Sequence, residues 1–542
     1  MRHHGGWRAR VTATPGARWL GLAGALLLLN CSLTFANVWP TPAIRLTAQV
    51  SVEAVLAVLV LAMAGRWLGG RARLVVWGGA ALWLALVLGR YVEVTTASLY
   101  GRDISLYWDL RHMPAVGAMF AEAADVVVRA RVVAAVLLVP VALYLALAGA
   151  LAVIVAAARE EGTRRWLGGV AVVALVLGGI GRVSDRLAPL RVADPVLGAY
   201  ARELGELGYE LSGAGLRDLG PPPELESDFS RLGGADVLLI FLESYGAVAW
   251  DRPELADALA PSRTRLAADI EDTGRRVASA FVESPTFAGE SWLAHITLLS
   301  GTEVRDQGTN VRLMAQQRDT LVKLFGRRGH RTIAIMPGLL VGWPEGEFYG
   351  FEKIYDHAAL GYRGPPFGWW DVNDQFALAR VDAAEIAPPA RPPAFVFFAS
   401  ITTHTPFVPT PPYQPDWKRV LSDTPYDAEA LDAAWSAWPD WSDLGPSYVT
   451  AFEYAFATVG GYLRLRADRD LVMILVGDHQ PPALVSGEGA SWEVPVHVIA
   501  NRPAVIDRLV SRHHFVEGLA PAHPAAARMD GLLPMLLDAF GD

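Results

Sequence analysis

The chain has 542 residues, 52% of them hydrophobic, a formal net charge of −9 and one cysteine. That length exceeds one ordinary domain, and a single cysteine, Cys31, excludes an internal disulfide and any cysteine-based metal centre. Charge is divided: up to Leu190 there are 18 Arg, no Lys and 9 acids, against 29 basic and 47 acidic residues afterwards. A basic, apolar start and an acidic remainder fit a membrane anchor followed by a folded domain. They do not fit a nucleic-acid binder, which needs a basic patch on its folded domain.

Five apolar runs of spanning or near-spanning length come first: Trp19–Val38, Ala48–Ala64, Leu74–Leu88, Val132–Ala158 and Trp166–Ile180. The second, third and fifth are short. Arg2, Arg8, Arg10 and Arg18 give the chain the basic start of a signal peptide, but the first run is long for a signal core and further runs follow, so a retained helix is expected. With five spans, the N-terminus, the Arg66/Arg71/Arg73 loop and the Arg159/Arg164/Arg165 loop share one side. The positive-inside rule makes that side cytoplasmic and places residues 90–131, and everything after Arg182, outside. In the outer loop, Tyr107 and Trp108 suit a membrane interface. Arginine richness without lysine in this part hints at a GC-rich bacterial genome. The expected location is therefore a bacterial inner membrane, multi-pass, with the C-terminal domain extracytoplasmic.

Residues 190–232 read as a linker of helix and loop ending in Gly220-Pro-Pro-Pro-Glu, a stiff connector. From residue 233 apolar strands alternate with helical segments, the pattern of an α/β domain with a mostly parallel sheet. Expected strands are Val237–Leu242, Thr332–Met336, Ala394–Ser400, Leu471–Val476 and Val494–Ile499. Expected helices are Pro261–Thr273, Ser291–Ser300, Asp319–Arg327 and Pro446–Leu465. The Trp- and Pro-rich stretch from Tyr413 to Gly445 reads as a surface excursion.

Three strands run out into chemistry. Asp236-Val-Leu-Leu-Ile-Phe-Leu-Glu-Ser-Tyr-Gly246 buries one strand and ends on Glu243. In open α/β sheets that carboxyl edge is where ligands bind. Val472-Met-Ile-Leu-Val-Gly-Asp-His-Gln480 ends on Asp478 and His479, a carboxylate and an imidazole that suit Zn²⁺ or Mn²⁺. Phe395-Val-Phe-Phe-Ala-Ser-Ile-Thr-Thr-His404 leaves His404 at the same edge, as a substrate contact or proton donor. Between them, Glu283-Ser-Pro-Thr-Phe-Ala-Gly-Glu-Ser-Trp-Leu-Ala-His295 reads as a loop with Ser291 as helix N-cap. A hydroxyl there is either a plain cap or a nucleophile favoured by the helix dipole and by a bound dication. Ser284 and Thr286 are weaker nucleophile candidates. Leu293 stands where the hydrolase Gly-x-Ser-x-Gly elbow needs glycine.

In content and order, Glu243, the Gly289-Glu-Ser291 helix start, His404 and Gly477-Asp-His479 resemble the alkaline phosphatase/sulfatase superfamily. The nearest branch is the membrane-anchored lipoteichoic acid synthase or phosphoglycerol transferase type, whose five spans and sulfatase-like outer domain match this layout. The resemblance runs from about Asp236 to the C-terminus. It implies one divalent metal ion (Mn, Zn or Mg) on Glu243, Ser291, Asp478 and His479, with Ser291 as nucleophile and His404 on the substrate. It implies a phosphoglycerol- or phosphoethanolamine-type group moved from a membrane lipid to an envelope glycan or lipid. There are departures. Serine stands where those synthases use threonine, and Trp343-Pro344-Glu345 stands where they carry Trp-x-Arg, so Trp343 and Glu345 become candidate substrate contacts of altered specificity. His295, one turn beyond Ser291, faces either the site or the core. Ser291-Trp-Leu-Ala-His295 lacks the proline and arginine of formylglycine sulfatases. The alternatives are hydrolysis of a soluble sulfate or phosphate ester, and a metal-free scaffold.

Overall fold

In the computed structural model the described residues are 14–38, 41–100, 105–110, 113–114, 117–118, 121, 126–183, 192–212, 219 and 221–542. Arg2, Arg8 and Arg10, much of the outer loop and parts of the linker, including Gly220, lie outside them. The chain divides near Gly208 into two compact units.

The first unit is helical: α1 (Pro15–Cys31), the hairpin β1 (Phe35–Asn37) and β2 (Ile44–Leu46), α2 (Val52–Ala64), α3 (Ala72–Tyr100), α4 (Val126–Ala158), α5 (Glu161–Val183) and α6 (Val196–Ser212). Each of the five apolar runs contains a helix, the first only as far as Cys31 and the second only from Val52. Among the described residues, three helices are long and apolar enough to cross a bilayer: Gly69–Ser98, Val126–Ala158 and Glu161–Ile180. At 17 and 13 residues, α1 and α2 fall short of the roughly 20 that a span needs. The first run stops early because Ser32 and Thr34 turn it into the β1–β2 hairpin, where Thr47 N donates to Thr34 O at 3.0 Å. Val133, Leu137, Leu138, Val172 and Val173 stay exposed on α4 and α5, an arrangement that suits lipid rather than water. Inside the unit the buried Glu53 is satisfied: it accepts from Ser51 Oγ at 3.0 Å and from Leu197 N at 3.2 Å. Trp108, expected at the membrane interface, is buried, with its ring edge-on to Tyr107 at 4.7 Å.

The second unit is an α/β domain. Its strands are β3 (Asp236–Leu242), β4 (Arg276–Glu283), β5 (Arg331–Met336), β6 (Lys353–Asp356), β7 (Ala394–Ala399), β8 (Leu471–Gly477), β9 (Glu493–Ala500), β10 (Val516–Glu517) and β11 (Ala527–Arg528). The sheet runs β10-β4-β9-β8-β3-β7-β5-β6, with β11 beside β4. From β8 to β6 all neighbours are parallel, while β9 is antiparallel to both β8 and β4. Two reversals restore direction, so β4 ends at the same edge as β3, β7 and β8. The five expected strands are present. β4, β6, β10 and β11 went unforeseen: β4 (Arg-Val-Ala-Ser-Ala-Phe-Val-Glu) carries small residues rather than an apolar run, and the other three are only two to four residues long.

The main helices are α7 (Pro253–Asp272), α8 (Ser291–Ser300), α9 (Gln307–Met314), α10 (Leu321–Arg327), α11 (Pro344–Tyr349), α12 (Asp374–Val381), α13 (Gly445–Leu465), α14 (Pro503–Arg512) and α15 (Met529–Phe540). α7 begins eight residues before the expected Pro261. Leu255, Leu259, Leu266 and Ile270 bury one continuous face across that proline, and packing outweighs its missing hydrogen bond. Successive β3 side chains alternate between two cores. Val237, Leu239 and Phe241 face α8, α10 and α15, while Leu238, Ile240 and Leu242 face α7 and α13. Burial on both faces is why this strand reads as an unbroken apolar run. The strand is held at its start, where Arg391 forms a two-pronged ion pair with Asp236, which also accepts from Ala394 N at 2.9 Å.

Candidate active site

Register brings the ligand candidates together. Leu242 on β3 pairs with Gly477 on β8, so Glu243 and Asp478 are the next residues on adjacent parallel strands. Two glycines allow the close approach that follows. A Cβ on Gly477 would lie 1.9 Å from Tyr245 O, and one on Gly246 would lie 1.8 Å from Gln480 Oε1. The loop after β4 then crosses this edge. Ser284 Oγ donates to Asp478 O at 2.5 Å, Ala288 N donates to Gln480 O at 3.1 Å, and Thr286 Oγ1 donates to Gly289 O at 2.6 Å. Those bonds make Ser284 and Thr286 loop supports. Ala288, Gly289 and Glu290 all have positive φ, as does Ser244 beside Glu243. Strain of this kind persists only where the surroundings over-determine it, as at functional sites. Glu290 is the cap and Ser291 the first residue of α8, so the cap falls one residue before the expected Ser291.

Ser291 Oγ lies 2.8 Å from Glu243 Oε2 and 3.2 Å from His479 Nε2. His479 Nε2 is 3.3 Å from Glu243 Oε1 and 3.7 Å from Asp478 Oδ2. Ligand atoms of Glu243, Asp478 and His479 all fall within 4.8 Å of one another. The three are buried, while Ser291 is only half-buried and open to approach. Asp478 Oδ1 accepts from Ser244 N at 2.8 Å and from His479 N at 2.7 Å, but its buried Oδ2 has no partner. An orphaned carboxylate oxygen in a low-dielectric pocket is costly. Together with one imidazole nitrogen, a second carboxylate and a hydroxyl, it forms a set that fits a divalent cation.

Titration of the pocket agrees with that fit. Burial raises the Asp478 carboxyl, and the Glu243 charge raises it further. Burial opposes charge on His479, but Asp478 and Glu243 outweigh it and hold the imidazole up at about 9. Burial also opposes Glu243, which His479 nevertheless pulls well below the usual carboxylate range. His479 Nδ1 faces Gln480 O at 2.8 Å, a pure acceptor, so Nδ1 carries hydrogen and Nε2 is the ligand atom. The proton on Nε2 is the cation that balances this ring of acceptors in the metal-free protein.

His404 lies at the same edge, on the turn that follows β7. Its Nδ1 donates to Thr405 O at 2.7 Å, and its ring lies 5.9 Å from Trp370. The turn that carries it is held by Asp374, a residue that sequence reasoning missed. Asp374 accepts from Ile401 N at 2.8 Å and from Thr402 N at 3.0 Å. Burial pushes its carboxyl up to about 6 against those bonds. Ser400 was also missed; its Oγ accepts from Glu243 N at 3.0 Å. Asp374 lies outside the motifs in sequence; Ser400 lies inside the His404 motif, but only the β3–β7 pairing brings it to Glu243. Asp374→Ala is expected to lower turnover by roughly 10- to 100-fold, because each orphaned buried N–H costs about 1–3 kcal/mol and His404 loses its position. Metal affinity, measured alongside, should stay within about threefold; loss of both together would mean that Asp374 supports the whole edge.

His295 does not meet the site surface. It is buried with its ring 4.5 Å from Phe241 and 5.3 Å from Phe397, and burial pushes its pKa down to about 3, so it is neutral. Of its two readings, site or core, the structure places His295 in the aromatic floor, because α8 turns that face onto the sheet. Trp343 and Glu345 stand apart from the ring around Ser291, across a short chain of hydrogen bonds through Trp292, Gln307 and Asn310.

No family model matches the chain, and no curated protein matches it. Solved structures do. The integral membrane lipooligosaccharide phosphoethanolamine transferase A (EptA) of Neisseria meningitidis is 13% identical, with 96% of this chain and 95% of that one covered, at a TM-score of 0.44. The lipoteichoic acid synthase LtaP of Listeria monocytogenes is 13% identical over 60% of this chain and 80% of its own, at 0.37. A protein of the alkaline phosphatase superfamily from Vibrio parahaemolyticus is 14% identical over 60% and 73%, at 0.38. The superfamily named in the last match is the one that the motif order resembles. At these identities no substrate carries across, and the chemistry rests on the chain's own residues.

Proposed function

We propose that this protein is a membrane-anchored, metal-dependent phosphotransferase that moves a phosphoryl-linked headgroup from a membrane lipid to an envelope glycan or lipid through a covalent Ser291 intermediate. The observation that carries this reading is the Ser291 hydroxyl, half-buried at the open sheet edge, 2.8 Å from Glu243 and 3.2 Å from His479. Glu243, Asp478, His479 and Ser291 would hold one divalent ion (Mn, Zn or Mg), which would supply the positive charge that acidifies the serine and offsets phosphate charge. A multi-pass inner-membrane anchor with the catalytic unit outside follows from the arginine distribution.

In the first half-reaction Ser291 Oγ attacks phosphorus. Its proton leaves along the hydrogen bond already made to Glu243, the Oγ–P bond forms, and the P–O bond to the diacylglycerol breaks. With Nδ1 committed to Thr405 O, His404 Nε2 is the atom that serves the departing oxygen. In the second half an acceptor hydroxyl attacks the same phosphorus, its proton passes to His404, and the serine oxygen leaves and regains its proton. Positive potential at the start of α8 favours the anion in both halves.

The test is intact mass of the detergent-solubilised full chain after incubation with phosphatidylglycerol or phosphatidylethanolamine and Mn²⁺. An adduct on Ser291, with the mass of the transferred group, is expected. Turnover of a soluble phosphate or sulfate ester with no lipid-derived adduct would replace transfer by hydrolysis.

A further inference from the structure

The first turn of α8 leads to a second cluster that the transfer steps do not use. Trp292, next to Ser291, donates Nε1–H to Gln307 Oε1 at 2.7 Å. Asn310 Nδ2 donates to the same oxygen at 3.3 Å and to Glu345 Oε1 at 3.1 Å. Two acceptors on one side fix the Asn310 amide, so its Oδ1 points elsewhere. That oxygen belongs to a fully buried residue and has no partner. Tyr349, one turn beyond Glu345 on the same face of α11, is equally buried, and its hydroxyl also lacks a partner. Trp343 walls the cluster, with its ring 5.6 Å from Tyr349.

This cluster and the Ser291 pocket share a floor. Trp343 stacks on Phe397 at 6.2 Å, and Phe397 meets Phe241 at 5.9 Å and His295 at 5.3 Å. Phe241 lies two residues before Glu243, and His295 lies one turn after Ser291. Among the described residues no lysine, arginine or histidine pairs with Glu345, whose protein donor is the neutral Asn310 amide. The half-buried carboxylate thus stands uncompensated beside two buried groups that want a ligand and an aromatic face.

We propose that Glu345, Asn310, Tyr349 and Trp343 read the non-reacting end of the transferred group and select an ammonium. This rests on the transfer reading above. An ammonium supplies N–H donors to Asn310 Oδ1 and Tyr349 Oη, a counter-charge to Glu345, and a cation for the Trp343 face. A neutral polyol meets the same acceptors but leaves the carboxylate unbalanced. A second anionic group is repelled.

The experiment compares the full-length protein in mixed micelles with phosphatidylethanolamine and with phosphatidylglycerol, reading Ser291 adduct formation and kcat/KM for each. The wild type is expected to favour phosphatidylethanolamine. Glu345→Gln should lower the ratio of the two kcat/KM values by roughly tenfold, chiefly through KM for phosphatidylethanolamine, and Glu345→Arg should reverse the preference. Adducts formed equally from both lipids, or a Glu345→Gln loss proportionate for both, overturn the ammonium assignment and leave the transfer reading standing. If neither lipid leaves an adduct on Ser291, the transfer reading fails and this inference falls with it.

Discussion

Ser291→Ala is expected to reduce transfer by at least about a thousandfold while the fold survives and Glu243, Asp478 and His479 still hold the metal, more weakly for the loss of one ligand. The substitution removes one oxygen, the group within 2.8 Å of Glu243 and 3.2 Å of His479. Alanine suits the first turn of α8, and Glu290 rather than Ser291 caps that helix, so no structural bond besides those two is lost. Glu243, Asp478 and His479 keep their places on strand ends held by backbone hydrogen bonds. Three readouts belong together: kcat, bound metal per chain, and the thermal midpoint. A residual rate above a tenth of wild type, with metal still bound, would show that another group attacks. Ser284 and Thr286 are poor substitutes, because their hydroxyls are committed to the backbone oxygens of Asp478 and Gly289.

Asp478→Asn is expected to weaken divalent-metal binding by about a hundredfold or more and to remove activity with it. Asparagine retains an oxygen to accept from Ser244 N and His479 N, but it places an N–H₂ where the orphaned Oδ2 now stands. A ligand becomes a donor. The sign of the stability change separates this from unfolding. Burial and the Glu243 charge both raise the Asp478 carboxyl, so its ionised form opposes folding of the metal-free protein at neutral pH. The metal-free Asn variant should therefore melt no lower than metal-free wild type, and a lower midpoint would contradict the electrostatic account. His479 gives the pH dependence. Its imidazole is held at about 9, so at pH 7 a bound ion must displace one proton from Nε2. Apparent affinity in wild type should climb by about tenfold per pH unit from pH 7 and level off above about pH 9. Calorimetric titration across that range checks it, and a flat profile would remove His479 from the ligand set.

Much of this site was legible because its parts end strands. Val237–Leu242 and Leu471–Val476 announce buried parallel strands, and a polar residue directly after such a run falls at the ligand edge. Glu243, Asp478 and His479 needed only that argument and the order of motifs. Ser291 was readable as the start of a helix, off by one at the cap, because a left-handed Glu290 before a serine leaves no local signature. His295 shows the limit of spacing. One turn from the nucleophile is consistent with either face, and the packing of Phe241 and Phe397 chose the core. Asp374 had no signal, since its partner Ile401 lies 27 residues away, and Ser400, though inside the His404 stretch, gave no sign of its bond to Glu243, 157 residues away in the chain.

By itself the sequence determined the two-part architecture, through an apolar arginine-bearing start and an alternating strand–helix remainder, together with the chemical types at the strand ends. These are local properties, set by composition and by periods of a few residues. The tertiary structure decided the rest. Pairing of Leu242 with Gly477 joined two motifs into one pocket, and the antiparallel β9 returned β4 to the edge where its loop delivers Ser291. Asn310, fixed between Gln307 and Glu345, gave the departure at Glu345 a setting. Parallel pairing and side-chain networks connect residues tens to hundreds of positions apart, and no local period encodes which of them will meet.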